Sequence, residues 1–185
     1  MSNYRLEGKT FVIDDYDRKP AFSSFLPGLA GVKGIPLWTF YTNRGQGMNS
    51  FGIDNKGNAI MEFNSANTAF ENTQVKGFRT FLKIDGEYYE PFFTYEKEAK
   101  RQMRMNKNSF KIIETNEKYG IEVTVNYYVL PNESIGALVR QVSVKNIGDS
   151  AKEVQVIDGL PKIITYGIAN GEFKEMSNLF KSWAD

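Results

Sequence analysis

The chain has no cysteine and no histidine. Without cysteine there is no disulfide framework and no thiolate chemistry. Without histidine it lacks the commonest general base and the commonest zinc ligand. Serine–histidine and cysteine–histidine triads are therefore excluded within it. A surplus of one charge is missing too. The 23 Lys and Arg nearly balance the 22 Asp and Glu, for a net charge of +1. No strong field is built for nucleic acid or an anionic membrane. No window approaches the roughly 18 apolar residues of a membrane helix. The start, Met1-Ser-Asn-Tyr-Arg-Leu6, has no apolar signal core. A cytoplasmic protein is the expectation. No dinucleotide-binding glycine pattern, P-loop or HExxH pair occurs.

What is present is aromatic: 14 Phe, 10 Tyr and 2 Trp in 185 residues. Rings fit pleated surfaces, which tilts the expectation toward sheet. The length suggests one domain with a real core. Short apolar or alternating runs recur between turn residues. They are Thr10–Ile13, Ile35–Thr42, Met48–Ile53 with Ala59–Phe63, Phe78–Ile84 with Tyr88-Tyr89, Phe110–Glu114, Ile121–Leu130, Ala137–Asn146 and Lys152–Ile157. Asp85-Gly86 is the clearest hairpin turn. In Ile121–Tyr127 the apolar residues take every second position, the period of an antiparallel strand with one wet face. Phe22–Gly34, broken by Pro27, Gly28, Gly31 and Gly34, reads as an ordered loop. The single good helical stripe comes last, with Phe173, Met176, Leu179, Phe180 and Trp183 predicting a helix over 171–183. The whole reads as an all-β antiparallel sandwich, one domain over 1–185, with a C-terminal helix.

Chemistry-bearing patterns are sparse. Asp14, Asp15 and Asp17 lack the glycine and distal glutamate of a calcium loop and read as a solvated turn. Lys97–Lys107 holds five basic residues with Glu96 preceding and Glu98 among them, and reads as a solvated loop or short helix face. The most informative stretch is Pro36–Gly47. Its aromatics run into a loop carrying Asn43, Arg44 and Gln46. With Tyr41, these are the candidate substrate-binding residues. Apolar sugar faces stack on rings, and hydroxyls bond to Arg, Asn and Gln. The competing reading makes Trp38 and Phe40 core and Arg44 a clamp on backbone carbonyls. No catalytic residue and no metal ligand is assigned.

Pro20–Gly31, Gly34–Trp38, Asn43–Gly47, Ser50–Gly52, Ile60–Phe63, Gly77–Phe81, Gly136–Gln141 and Asp158–Pro161 together form an ordered series of short motifs. The series resembles the N-terminal region of cellobiose-phosphorylase-like glycoside phosphorylases, closest to the β-1,3-oligoglucan branch. The resemblance implies a galactose-mutarotase-like super-sandwich, followed by a linker helix and an (α/α)6 catalytic barrel. It implies an inverting enzyme acting on a β-glucan oligosaccharide and inorganic phosphate, without cofactor. An aspartate of the barrel serves as acid. It also implies a homodimer. This chain is then a non-catalytic part, inactive alone. A free-standing carbohydrate-binding module and a structural sandwich are the alternatives.

Overall fold

The computed structural model describes residues 3–51, 64–93, 98–161, 163, 179, 182 and 183. The 59–63 half of the first expected hairpin lies outside them, and so does nearly all of the helix expected over 171–183. The described part is mainly antiparallel strand. These are β1 (Tyr4–Glu7), β2 (Thr10–Asp14), β3 (Ser23–Ala30), β4 (Ile35–Thr42), β5 (Met48–Phe51), β6 (Arg79–Ile84), β7 (Glu87–Tyr89), β8 (Lys100–Met105), β9 (Ser109–Asn116), β10 (Ile121–Val129), β11 (Leu138–Asn146) and β12 (Val154–Gly159). One helix, α1 (Ala66–Lys76), and a 3-10 turn at Tyr16–Arg18 complete the described elements.

The strands form three sheets, ordered β1-β2-β8-β9-β10-β11, β12-β6-β7 and β3-β4-β5. The inward side of the six-stranded sheet carries Ile13, Met103, Phe110, Ile112, Ile121, Val123, Val125 and Tyr127. These pack in one cluster with Leu82 and Ile84 of β6, Tyr89 of β7 and Leu26 of β3. Period-two alternation produces this layer: β9 and β10 bury every second residue. Tyr127 stacks on its cross-strand neighbour Phe110, with ring centroids 4.4 Å apart. The Asp85-Gly86 turn has both residues at positive φ, as a tight hairpin of this hand requires.

Three expectations are corrected. The 22–34 stretch is not a loop: Ser23–Ala30 forms β3, paired with β4 along its length. Pro27 is tolerated because, among the described strands, β3 pairs on one side only. Gly28 is needed because a Cβ there would lie 2.3 Å from Val129 Cγ2. Nor is helix confined to the stripe expected over 171–183. Ala66–Lys76 is helical although rich in Asn and Thr, with Ser65 Oγ accepting from Thr68 N at 3.4 Å as its cap. It presents Ala69 and Thr73, four residues apart, to the sheet, where Ala69 packs against Phe40 and Met48. Finally, the basic stretch is strand, not loop or helix. In β8, Arg101 and Met103 are buried while Lys100, Gln102 and Arg104 lie outward or half-buried.

Candidate functional site

The loop after β4 is held almost entirely from within. Asn43, fully buried, donates from Nδ2 to the carbonyls of Lys19 (2.8 Å) and Pro20 (3.1 Å). Its Oδ1 accepts from the Phe22 amide at 3.1 Å. Arg44 Nη1 donates to the carbonyls of Asp17 (2.8 Å) and Asn43 (2.9 Å). Gly45, at φ 69°, passes so close to α1 that a Cβ would lie 3.0 Å from Gln74 Cα. Tyr41 turns its ring to Phe110, 5.0 Å between centroids. Of the two readings open for Arg44, this geometry matches the carbonyl clamp.

Gln46 leaves the others and joins a junction that none of the sequence assignments included. Tyr127 and Arg140 face each other across β10 and β11, while Thr80 and Asp158 face each other across β6 and β12. The two pairs meet across the layers. Arg140 donates from Nε to Tyr127 Oη at 3.0 Å, from Nη1 to Asp158, and from Nη2 to Gln46 Oε1 and Thr80 Oγ1. Thr80 in turn donates to Asp158 Oδ1 at 2.7 Å. The Arg140 guanidinium lies 5.0 Å from the Phe78 ring centroid and 5.7 Å from that of Tyr127. A planar, delocalised cation suits this slot between rings better than an ammonium. Burial pushes the Tyr127 phenol up to about 12, against the pull of Arg140, so it stays protonated.

A second buried guanidinium sits in the same core. Arg101 faces Glu114 across β8 and β9. Its Nε donates to Glu114 Oε2 at 2.5 Å, Nη1 to Asp17 at 2.8 Å and Nη2 to the Phe93 carbonyl at 2.7 Å. Glu114 also accepts from the Tyr89 hydroxyl and from the Phe92 amide. Phe92 is buried at φ 65°, a strained setting for an aromatic residue that these contacts hold in place. Burial pushes the Glu114 carboxyl up to about 8, the Phe92 amide opposes this, and the charge of Asp17 adds to it. Two carboxyl groups share one guanidinium here, and the charge of Asp17 makes ionising Glu114 costlier.

Neither cluster assembles hydrolytic or nucleophilic chemistry. At the junction, Asp158 is the sole carboxylate among the described residues, and it is committed to Arg140 and Thr80. Around Arg101 every acceptor already has a donor from the chain. Asp14 likewise accepts from Arg5 and Gln102, so Asp14 and Asp17 are paired and not merely solvated. Among the described residues no group of three or more acidic side chains is placed to hold a metal ion. The basic residues of β8 are matched by Glu117, Glu114 and Glu7, which leaves no free phosphate cradle in that strand. No described helix is long and apolar enough to cross a membrane.

The residues missed by sequence reasoning are Thr80, Tyr127, Arg140 and Asp158. A signal existed for three of them. Thr80 lies in Gly77–Phe81, Arg140 in Gly136–Gln141 and Asp158 in Asp158–Pro161, all segments of the motif series. Their meeting in space was not readable from the order of motifs. No family model matches the chain, and no curated protein matches it.

Proposed function

We propose that the chain is the non-catalytic, galactose-mutarotase-like sandwich domain of an inverting β-glucan phosphorylase. In this reading a helical barrel elsewhere in the enzyme supplies the acid and the phosphate site. The sandwich contributes a homodimer face and an edge of the oligosaccharide site, and the enzyme is cytoplasmic and cofactor-free. The observation that carries the reading is the Arg140 junction. The Asn43–Gly47, Gly77–Phe81, Gly136–Gln141 and Asp158–Pro161 segments each send a side chain to it. Four segments of the motif series thus meet at one guanidinium, which supports reading them as parts of one unit.

The test uses laminari-oligosaccharides and inorganic phosphate. A longer protein carrying this chain upstream of a helical barrel should release glucose 1-phosphate, and the chain alone should release none. Release by the chain alone, or none by the longer protein, would overturn the reading. A free-standing carbohydrate-binding module is the second reading, favoured by a small aromatic-walled cleft beside α1.

A further inference from the structure

Between residues 21–23 and the first turns of α1 lies an open cleft of about 240 Å³, lined by Ala21, Phe22, Ser23, Asn67, Phe70 and Glu71. Drug-sized ligands occupy roughly 300–1,000 Å³, so this cleft suits one small ring and not an oligomer. Its two rings, Phe22 and Phe70, are half-buried at its wall, and Phe22 also packs against the main core. Its polar groups are uncommitted. Among the described residues Asn67 and Glu71 are exposed and hold no partner. Ser23 Oγ is shielded from solvent and has no hydrogen-bond partner among the described residues. An orphaned buried hydroxyl is costly in a finished structure and calls for an explanation.

We infer that this cleft is a subsite for one neutral pyranose unit of a glycan. Ring faces to stack on, an amide that both donates and accepts, and a carboxylate acceptor match the alternating apolar faces and hydroxyl rim of a sugar. The charge chooses among sugars: no Lys or Arg lines the cleft and Glu71 does, so a phosphorylated or uronic sugar is disfavoured. A lipid chain is disfavoured because three of the six lining residues are polar. Asn43 is a positioning residue for this subsite. Its Oδ1 and backbone N–H hold Phe22 from both sides, through the Phe22 amide at 3.1 Å and the Phe22 carbonyl at 3.4 Å. This inference rests on the glycan-handling reading of the domain and locates a contact apart from the Arg140 junction.

The test is a titration of the whole chain, followed by amide chemical shifts, with laminaritriose and separately with glucose 6-phosphate. Laminaritriose should move Phe22, Ser23, Asn67, Phe70 and Glu71 with a Kd in the millimolar range. Asn67→Ala should weaken it about tenfold, the loss of roughly one good hydrogen bond. Glu71→Lys, an exposed change that leaves the fold alone, should shift the preference toward glucose 6-phosphate. Shifts elsewhere, or an unchanged preference in Glu71→Lys, would overturn the subsite while leaving the glycan reading standing. No shifts anywhere with laminaritriose would also overturn it, whatever the phosphorolysis assay shows. Shifts at the cleft without glucose 1-phosphate release by the longer protein would sink the phosphorylase reading alone.

Discussion

Arg101 and Arg140 are both buried guanidiniums on inward positions of one sheet, yet they sit in different company. Arg101 is sealed between two carboxylates and a carbonyl, with side chains almost wholly shielded: 1% exposed for Arg101 and 0% for Glu114. It ties neighbouring strands β8 and β9 to the 3-10 turn and to Phe92-Phe93. Arg140 has one carboxylate, Asp158, whose side chain is 31% exposed, and otherwise neutral oxygens and two aromatic rings. It ties the six-stranded sheet to the β6–β12 pair and to the loop after β4. The first cluster is an interior fastening. The second is a hub between layers, with one flank open to water. Buried charge alone does not separate structure from site; the number of elements joined and the solvent at the rim do.

The largest expected effect is at the sealed cluster. Glu114→Ala strips an acceptor from Arg101 Nε, the Phe92 amide and the Tyr89 hydroxyl at once. It should cost about 3–5 kcal/mol, the scale for breaking a buried pair, measured by urea unfolding. A loss below about 1 kcal/mol would place the sealed cluster beneath the Arg140 hub and contradict this ranking. Next is Arg140→Ala, which leaves Gln46, Tyr127 and Asp158 short of a donor and should cost about 2–3 kcal/mol. Arg140→Lys should recover only part of this, because one ammonium cannot reach every acceptor of the planar fork. Full recovery would mean that charge, not geometry, makes the hub.

A pH series sharpens the contrast. Glu114 titrates near 4.5 when unfolded and up to about 8 in the fold. Between those values the folded state holds the extra proton, so stability should fall as pH rises from about 4.5 to about 8. Glu114→Gln should flatten that slope, and Arg140→Lys should not. A slope that survives in Glu114→Gln belongs to other groups. The smallest effect is at Arg44. Arg44→Ala loses two hydrogen bonds to carbonyls at a half-buried site, about 1 kcal/mol in all, seen as a modest fall in Tm. If laminaritriose binding or turnover fell with Tm unchanged, Arg44 would be a ligand residue after all.

The sequence was legible where local pattern and final environment agree. Ile121–Val129 alternates, and its alternation is the core face. Asp85-Gly86 carries the residues its two positive φ angles demand. Arg101 defeated the pattern because a charged residue occupies an inward slot, made tenable by Glu114 on the facing strand. Ser23–Ala30 was hidden because Pro27 and Gly28 argue against strand, and only an edge position and the close approach of Val129 make them fit. Residues 66–76 were hidden because Asn and Thr are indifferent helix formers, and tertiary packing of Ala69 and Thr73 decides. Of the junction, Gln46 alone had been singled out, as a candidate substrate-binding residue from its loop chemistry, and its place at Arg140 was not foreseen. Thr80 and Asp158 are 78 residues apart and meet only through β6–β12 pairing.

A double-mutant cycle between Gln46 and Arg140 tests most directly whether the loop after β4 belongs to the hub. Gln46→Ala, Arg140→Ala and the double variant are compared by urea unfolding at neutral pH. Direct contact of Arg140 Nη2 with Gln46 Oε1 predicts a coupling of about 1–2 kcal/mol, within the range for residues sharing one network. Effects that simply add would contradict the convergence of the motif segments on Arg140, and with it the observation that carries the proposed function.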